Sequence, residues 1–257
     1  MTNLLAHPTP KINIGLSITK KRMDGFHDLE TLFYPIDAYH DTLSMTQIPS
    51  GFALEIEGAD FDTTQGENIC QKTFHLFMEK TNIEGGCYIK LTKQIPSGAG
   101  LGGGSADAAC CLKLLNQLFA AELSLIELKK MALQLGSDVP FFMDNRPALA
   151  KGRGEILTPV ALDLSAYHIE IKKPSFNIST AEAYSMIKPR VKEVSLAALL
   201  QAPITEWRGL IINDFEEVLF PKYPELAKIK ADFYQKGALY ASLSGSGSAV
   251  YGIFEKK

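Results

Sequence analysis

From Lys11 to Thr19 the chain alternates. Ile12, Ile14, Leu16 and Ile18 stand at every second position, with Asn13, Gly15 and Ser17 between them. That period is the mark of a half-buried strand, and it puts Lys11 and Asn13 together on the polar face. A loop at Asp24-Gly25-Phe26-His27 and a second apolar run over 29–36 follow, with further strands near 42–45 and 53–56. The spacing changes at Asn68. Residues 68–81 predict a helix with Ile69, Phe74 and Phe77 turned inward, and 87–95 predict a strand. Ala108, Cys111, Leu112, Leu115 and Leu118 recur at three- and four-residue steps, which predicts a helix over 105–119. Ser124 with Glu127 predicts a capping box opening the next helix, and Gly136 stops it. Residues 136–140 then read as a tight loop. Ser179 with Glu182 has the same capping-box spacing. Strands are expected near 147–151 and 167–172, and two more on either side of Ser244–Gly247. Helices and strands alternate in both halves. We therefore expect two α+β or α/β domains, 1–152 and 153–257.

Composition narrows the function classes. Of 257 residues 46% are hydrophobic and 21% charged, which is ordinary for a globular chain. Lys and Arg total 26 against 29 Asp and Glu, a net charge of −3. No broad basic surface for nucleic acid is expected, so an anionic ligand needs a local site. Cys70, Cys87, Cys110 and Cys111 show no C-x-x-C or zinc spacing. They read as small core residues of a reduced, cytoplasmic protein. No apolar run is long enough to span a membrane, and no signal segment opens the chain.

The candidate chemistry lies between the strand ending near 95 and the helix expected from 105. Pro96, Ser97, Gly98, Ala99, Gly100, Leu101, Gly102, Gly103, Gly104, Ser105 and Ala106 form a glycine-rich strand-to-helix junction. Glycines let a ligand approach the main chain. The helix start adds unpaired N–H groups and the positive end of its dipole. The combination is an anion site, and phosphate is the usual anion. No Lys completes a Walker A motif. Gly98, Gly100 and Gly103 match G-x-G-x-x-G, but the preceding strand carries Lys90, Thr92 and Lys93, unlike the apolar parallel strand of a dinucleotide fold. The signature segments of protein kinases are absent.

The segment Pro96–Ser105 resembles the phosphate loop of the GHMP kinase superfamily, which includes galactokinase, homoserine kinase and mevalonate kinase. Pro10–Ile14, Arg22–Thr31, Gly136–Phe141, Asn213–Glu216 and Ser244–Ser248 resemble further motifs of one member, in the right order over most of the chain. The resemblance implies a two-domain α+β fold, with an N-terminal S5-like α/β nucleotide domain and a C-terminal ferredoxin-like α+β domain. It implies ATP and Mg²⁺. It also implies a small-molecule acceptor, cytidine-diphosphate methylerythritol, whose 2-hydroxyl is phosphorylated on the non-mevalonate route to isoprenoid precursors. No nucleic-acid or membrane partner follows.

Residue by residue, the resemblance makes Asp138 the base and Lys11 the second catalytic residue, an ammonium favouring the alkoxide-like state. Asn68 corresponds to an adenine-pocket residue, and 96–106 hold the phosphates. Asn13, Phe26, His27 and Phe176 fall on the acceptor side, with Phe26 and His27 at cytosine and Phe176 as a second wall. Position 26 is usually Tyr in this member, and Phe keeps the stacking face without the hydroxyl. Position 106 is often Ser, so Ala106 lacks one possible phosphate or metal contact. Taken alone, Asp138 reads more readily as a turn Asp and Lys11 as a surface Lys, while for 244–248 a plain Gly-Ser hairpin turn is the lesser reading. Another small-molecule kinase of the superfamily, the related decarboxylase, or a nucleotide-binding regulator stay open as alternatives, as do the metal ligands and the oligomeric state.

Overall fold

The computed structural model describes residues 3–58 and 67–256. In chain order its elements are β1 (Asn3–Ala6), β2 (Lys11–Lys21), β3 (His27–Pro35), β4 (Thr42–Ile48), β5 (Gly51–Glu57), α1 (Ile69–Thr81), β6 (Gly86–Thr92), α2 (Gly103–Leu118), α3 (Leu125–Leu135), α4 (Val139–Asp144), β7 (Ala148–Lys151), β8 (Ile156–Pro159), β9 (Tyr167–Lys172), α5 (Thr180–Met186), α6 (Leu196–Leu199), α7 (Asp214–Lys222), α8 (Pro224–Gln235), β10 (Tyr240–Leu243) and β11 (Val250–Glu255). The mixture is α+β, as expected.

The chain forms two units. Unit 1 holds 1–10, 39–97 and 102–145; unit 2 holds 11–38, 98–101 and 146–257. A single cut at 152/153 does not describe this division. The β2–β3 hairpin hydrogen-bonds to β7, and β7 to β8, in a sheet of order β2-β3-β7-β8. Backbone pairing therefore draws residues 11–38 into the later unit.

Unit 1 is a four-stranded sheet of order β1-β4-β6-β5, with β5 parallel to β6 and the other pairs antiparallel. Its core is Met45, Ile89 and Leu91 from the sheet with Phe74, Phe77, Cys111, Leu112 and Leu115 from α1 and α2, all buried. Cys70, Cys87 and Cys111 lie in this core. Burial pushes the Cys87 thiol up to about 12, so it stays a protonated core group at neutral pH. The Ser124–Glu127 capping box forms as expected. Of the tight loop expected over 136–140, residues 136–138 are one, but Val139 and Pro140 already belong to a helix that runs to Asp144. This short helix, α4, has Pro140 in its first turn, where a missing N–H costs nothing.

Unit 2 contains the second four-stranded sheet and a three-stranded antiparallel sheet, β10-β11-β9. Leu16, Ile18, Phe215, Leu219, Leu226, Ile229, Leu243 and Val250 share one core there. The second capping-box spacing goes unused. Ser179 makes no side-chain cap, and the Glu182 carboxylate instead accepts from Lys222 and Tyr223. The half-buried reading of β2 also needs correction. All of its residues from Lys11 to Leu16 are buried. The polar face of β2 is packed under protein rather than washed by solvent.

Candidate active site

The helix after the glycine loop begins two residues earlier than its apolar period indicates. Gly102 caps α2 with φ +73°, a left-handed conformation that suits glycine. The first intrahelical bond runs from the Ala106 N–H to the Gly102 carbonyl, at 2.9 Å. The N–H groups of Gly103, Gly104 and Ser105 thus have no partner within the helix. Gly103 is required by crowding, since a Cβ there would lie 2.8 Å from Cγ2 of Ile95. The place of a Cβ on Gly104 is almost open, its nearest neighbour being Ile69 at 4.0 Å. Ala106 faces inward and is 1% exposed. With its N–H taken by the helix, it presents nothing to a ligand, and a hydroxyl there would be buried.

In unit 2 the loop's middle, 98–101, lies against the β10–β11 turn. The Ala249 N–H donates to the Ala99 carbonyl at 3.1 Å, and Ser244 Oγ to the Gly100 carbonyl at 2.9 Å. Gly100 has φ +73°, and a Cβ on it would sit 2.1 Å from the Ser244 carbonyl oxygen. The Ser244–Ser248 turn is therefore a support for the loop. Asn213 holds that turn in place, its Nδ2 donating to the carbonyls of Leu243 and Gly245 at 2.9 Å each. Its Oδ1 caps α7.

Lys11 joins the same network. Its N–H donates to the Leu101 carbonyl at 2.9 Å, and its Nζ to the Gly100 carbonyl at 2.9 Å and to Asn13 Oδ1 at 2.5 Å. The ammonium also lies over the Phe33 ring, 5.1 Å from its centroid. Asn13 is buried, and its Nδ2 donates to Thr31 Oγ1 at 3.0 Å. Both amide atoms of Asn13 thus have protein partners. Thr31 was not singled out by the sequence. It closes the Arg22–Thr31 segment without a role of its own there, and its bond to Asn13 comes from the β2–β3 pairing.

Asp138, in unit 1, stands at the N-cap of α4 with φ −85° and ψ −17°, and its carboxylate does not cap the helix. The helix behind it is secured by Lys113, which donates to the Phe142 carbonyl at 3.1 Å, and by Asn145, which donates to Thr9 at 3.0 Å. Asn68 caps α1, its Oδ1 accepting the Cys70 N–H at 2.8 Å.

The aromatic group lies in unit 2. Asp24 Oδ1 accepts the Phe26 N–H at 3.1 Å, Arg22 closes the turn on Asp24, and the Phe26 ring stands half exposed. The Arg153 guanidinium lies 4.9 Å from its centroid. His27 packs on Tyr184 with centroids 5.1 Å apart. Burial, helped by Lys21, lowers the His27 pKa, so its ring is neutral at pH 7. Phe176 stacks on Tyr223 at 5.1 Å and leans on the unit's core, so one face is already covered. Arg153 and Tyr184 escaped the sequence reading, because neither stands in a motif.

Among the described residues no three His, Cys, Asp or Glu side chains converge on a point, and no helix is long and apolar enough to cross a membrane.

The model of the GHMP kinases N terminal domain matches residues 68–146, and that of the GHMP kinases C terminal matches 195–257. Together these two models match more than half of the chain, and the chain belongs to the GHMP kinases, a class of small-molecule kinases. A 4-diphosphocytidyl-2-C-methyl-D-erythritol kinase of Bacteroides thetaiotaomicron is 45% identical, over 98% of this chain and 92% of its own. A crystal structure of 4-(cytidine 5'-diphospho)-2C-methyl-D-erythritol kinase aligns with TM-score 0.82 and 34% identity, over 97% of this chain and 90% of its own. A homoserine kinase from Cytophaga hutchinsonii reaches TM-score 0.66 at 19% identity, over 97% and 85%, a likeness of fold alone. Within the GHMP kinases, the chain belongs to the 4-diphosphocytidyl-2-C-methyl-D-erythritol kinase family.

Proposed function

We propose that the protein transfers the γ-phosphoryl group of ATP to the 2-hydroxyl of 4-(cytidine 5'-diphospho)-2-C-methyl-D-erythritol. The observation that carries this reading is the near full-length 45% identity to a kinase named for that substrate. The glycine loop and its supports agree with it. In this reading the N–H groups of 103–105 and the start of the α2 dipole bind the nucleotide phosphates. Asp138 accepts the hydroxyl proton. The freed oxygen attacks the γ-phosphorus, the bond to the bridging oxygen breaks, and ADP leaves. Lys11, aimed by Asn13 and the Gly100 carbonyl, stabilises negative charge as it develops. Phe26 stacks on cytosine. A neutral His27 offers one N–H and one lone pair, which suit the mixed donor and acceptor edge of that base.

Mg²⁺ is expected with ATP. An ion of this kind is held mainly by the nucleotide phosphates and water with one or two protein oxygens, which does not require the three converging side chains that are absent among the described residues. The product tests the reading. Phosphorus NMR of a reaction with the cytidyl acceptor should show one new phosphomonoester resonance while the acceptor's diphosphate resonances persist. Loss of those diphosphate resonances would mean hydrolysis rather than transfer.

A further inference from the structure

Three buried charges in unit 1 take no part in the chemistry above. Lys93 follows β6, two residues before Ile95, where the chain enters the glycine loop. Its Nζ pairs with Asp41 Oδ2 and, at 2.6 Å, with Asp107 Oδ2. Asp41 is fully buried, Asp107 is 2% exposed and Lys93 9%. The other Asp41 oxygen, Oδ1, accepts the N–H groups of Gln94 at 2.6 Å and Ile95 at 2.8 Å. Asp107 lies in the second turn of α2, just past the residues whose N–H groups the helix leaves unpaired. Where Gly103 begins that helix, Ile95 occupies the space a Cβ would need. The entry and the exit of the loop are thus tied to each other twice, by packing and by charge.

Stability alone is a poor reason for such a cluster. One ammonium faces two carboxylates in a buried site. Asp107 Oδ1 is buried with no hydrogen-bond partner among the described residues. Buried ion sets of this kind are often matched or bettered by apolar residues of equal volume. What the polar set supplies is geometry. Fixing both ends of a seven-residue glycine segment removes much of the disorder that binding would otherwise have to quench.

We propose that Asp41, Lys93 and Asp107 form a positioning clamp that presets the glycine loop for the nucleotide phosphates. The proposal rests on the nucleotide reading of that loop. These are positioning residues, since they act through the backbone of 94–95 and 103–107.

ADP binding measured by calorimetry, without the cytidyl acceptor, tests the clamp. Asp107→Ala removes the tie and should weaken ADP about tenfold. Asp107→Asn keeps an oxygen for Lys93 and should stay within about threefold of wild type. The triple variant Asp41→Asn/Lys93→Met/Asp107→Leu removes all three charges at nearly the packed volume, strands no buried carboxylate, and should also lose about tenfold. Wild-type affinity in both Asp107→Ala and the triple variant would overturn the clamp, whatever happened to their stability. An equal loss in Asp107→Ala and Asp107→Asn would overturn it too. A wild-type protein that bound no ADP would overturn the nucleotide reading and the clamp with it.

Discussion

At Asp138 the account is most exposed to a single change. Asp138→Asn keeps the size of the side chain but cannot take a proton at the carboxylate. Turnover should fall about 10²–10⁴-fold, the usual worth of a general base, with ATP affinity nearly unchanged. A rate near wild type would remove Asp138 from the role. Phe26→Ala tests the other end of the acceptor. Stacking on a base is worth about 1–3 kcal/mol, so the Michaelis constant for the cytidyl substrate should rise about five- to hundredfold while that for ATP holds. An unchanged constant would mean cytosine lies elsewhere. Much of this scale was legible in the sequence, because Lys11, Asn13, Asp138 and Phe26 stand in recognisable segments. What alternation could not show was that the polar face of β2 is covered. Alternation alone also could not show that the Asn13 amide bonds both Lys11 and Thr31. Tyr184 and Arg153 meet His27 and Phe26 only through the fold.

Elements were legible where local chemistry decides them. α3 is capped as its Ser and Glu dictate, with Ser124 and Glu127 bonding each other reciprocally. The equal spacing at Ser179 fails, because Lys222 and Tyr223 claim Glu182 from another helix. The start of α2 was misjudged by two residues because glycines carry no apolar period. The loop itself permits a sharp prediction. Gly100→Ala places a methyl on a residue at φ +73° and 2.1 Å from a carbonyl oxygen. The variant should lose ADP binding at least tenfold or melt several degrees lower, and calorimetry with a thermal melt would show either. Neither change would contradict the close packing of the loop on the Ser244–Ser248 turn.

The buried charges of unit 1 give this element-level picture a pH dependence. Burial, with Asp41 nearby and against the pull of Lys93, raises the Asp107 pKa to about 7. In an unfolded chain it would be about 3.9. The folded protein therefore holds a proton that the unfolded chain has lost between those values, and stability falls as pH rises through that window. Asn does not titrate. The unfolding free energy of Asp107→Asn relative to wild type should therefore grow by about 1–3 kcal/mol between pH 5 and pH 8. Urea melts at the two pH values check it, and a flat difference would mean that Asp107 is ionised throughout.

Over the whole molecule, the α+β class and the superfamily could be read from motif order, but the division into units could not. Backbone pairing of β3 with β7 draws residues 11–38 into the later unit, so the units interleave along the chain. Fold likeness does not separate the members either, since a homoserine kinase shares the fold at low identity. Acceptor choice is what distinguishes this protein within its class. The most direct test is ADP release by the purified chain with ATP and Mg²⁺, offered 4-(cytidine 5'-diphospho)-2-C-methyl-D-erythritol, homoserine or mevalonate in parallel. Release above background with the cytidyl acceptor alone is the expected result. Release with homoserine or mevalonate instead, or with none of the three, would contradict the account.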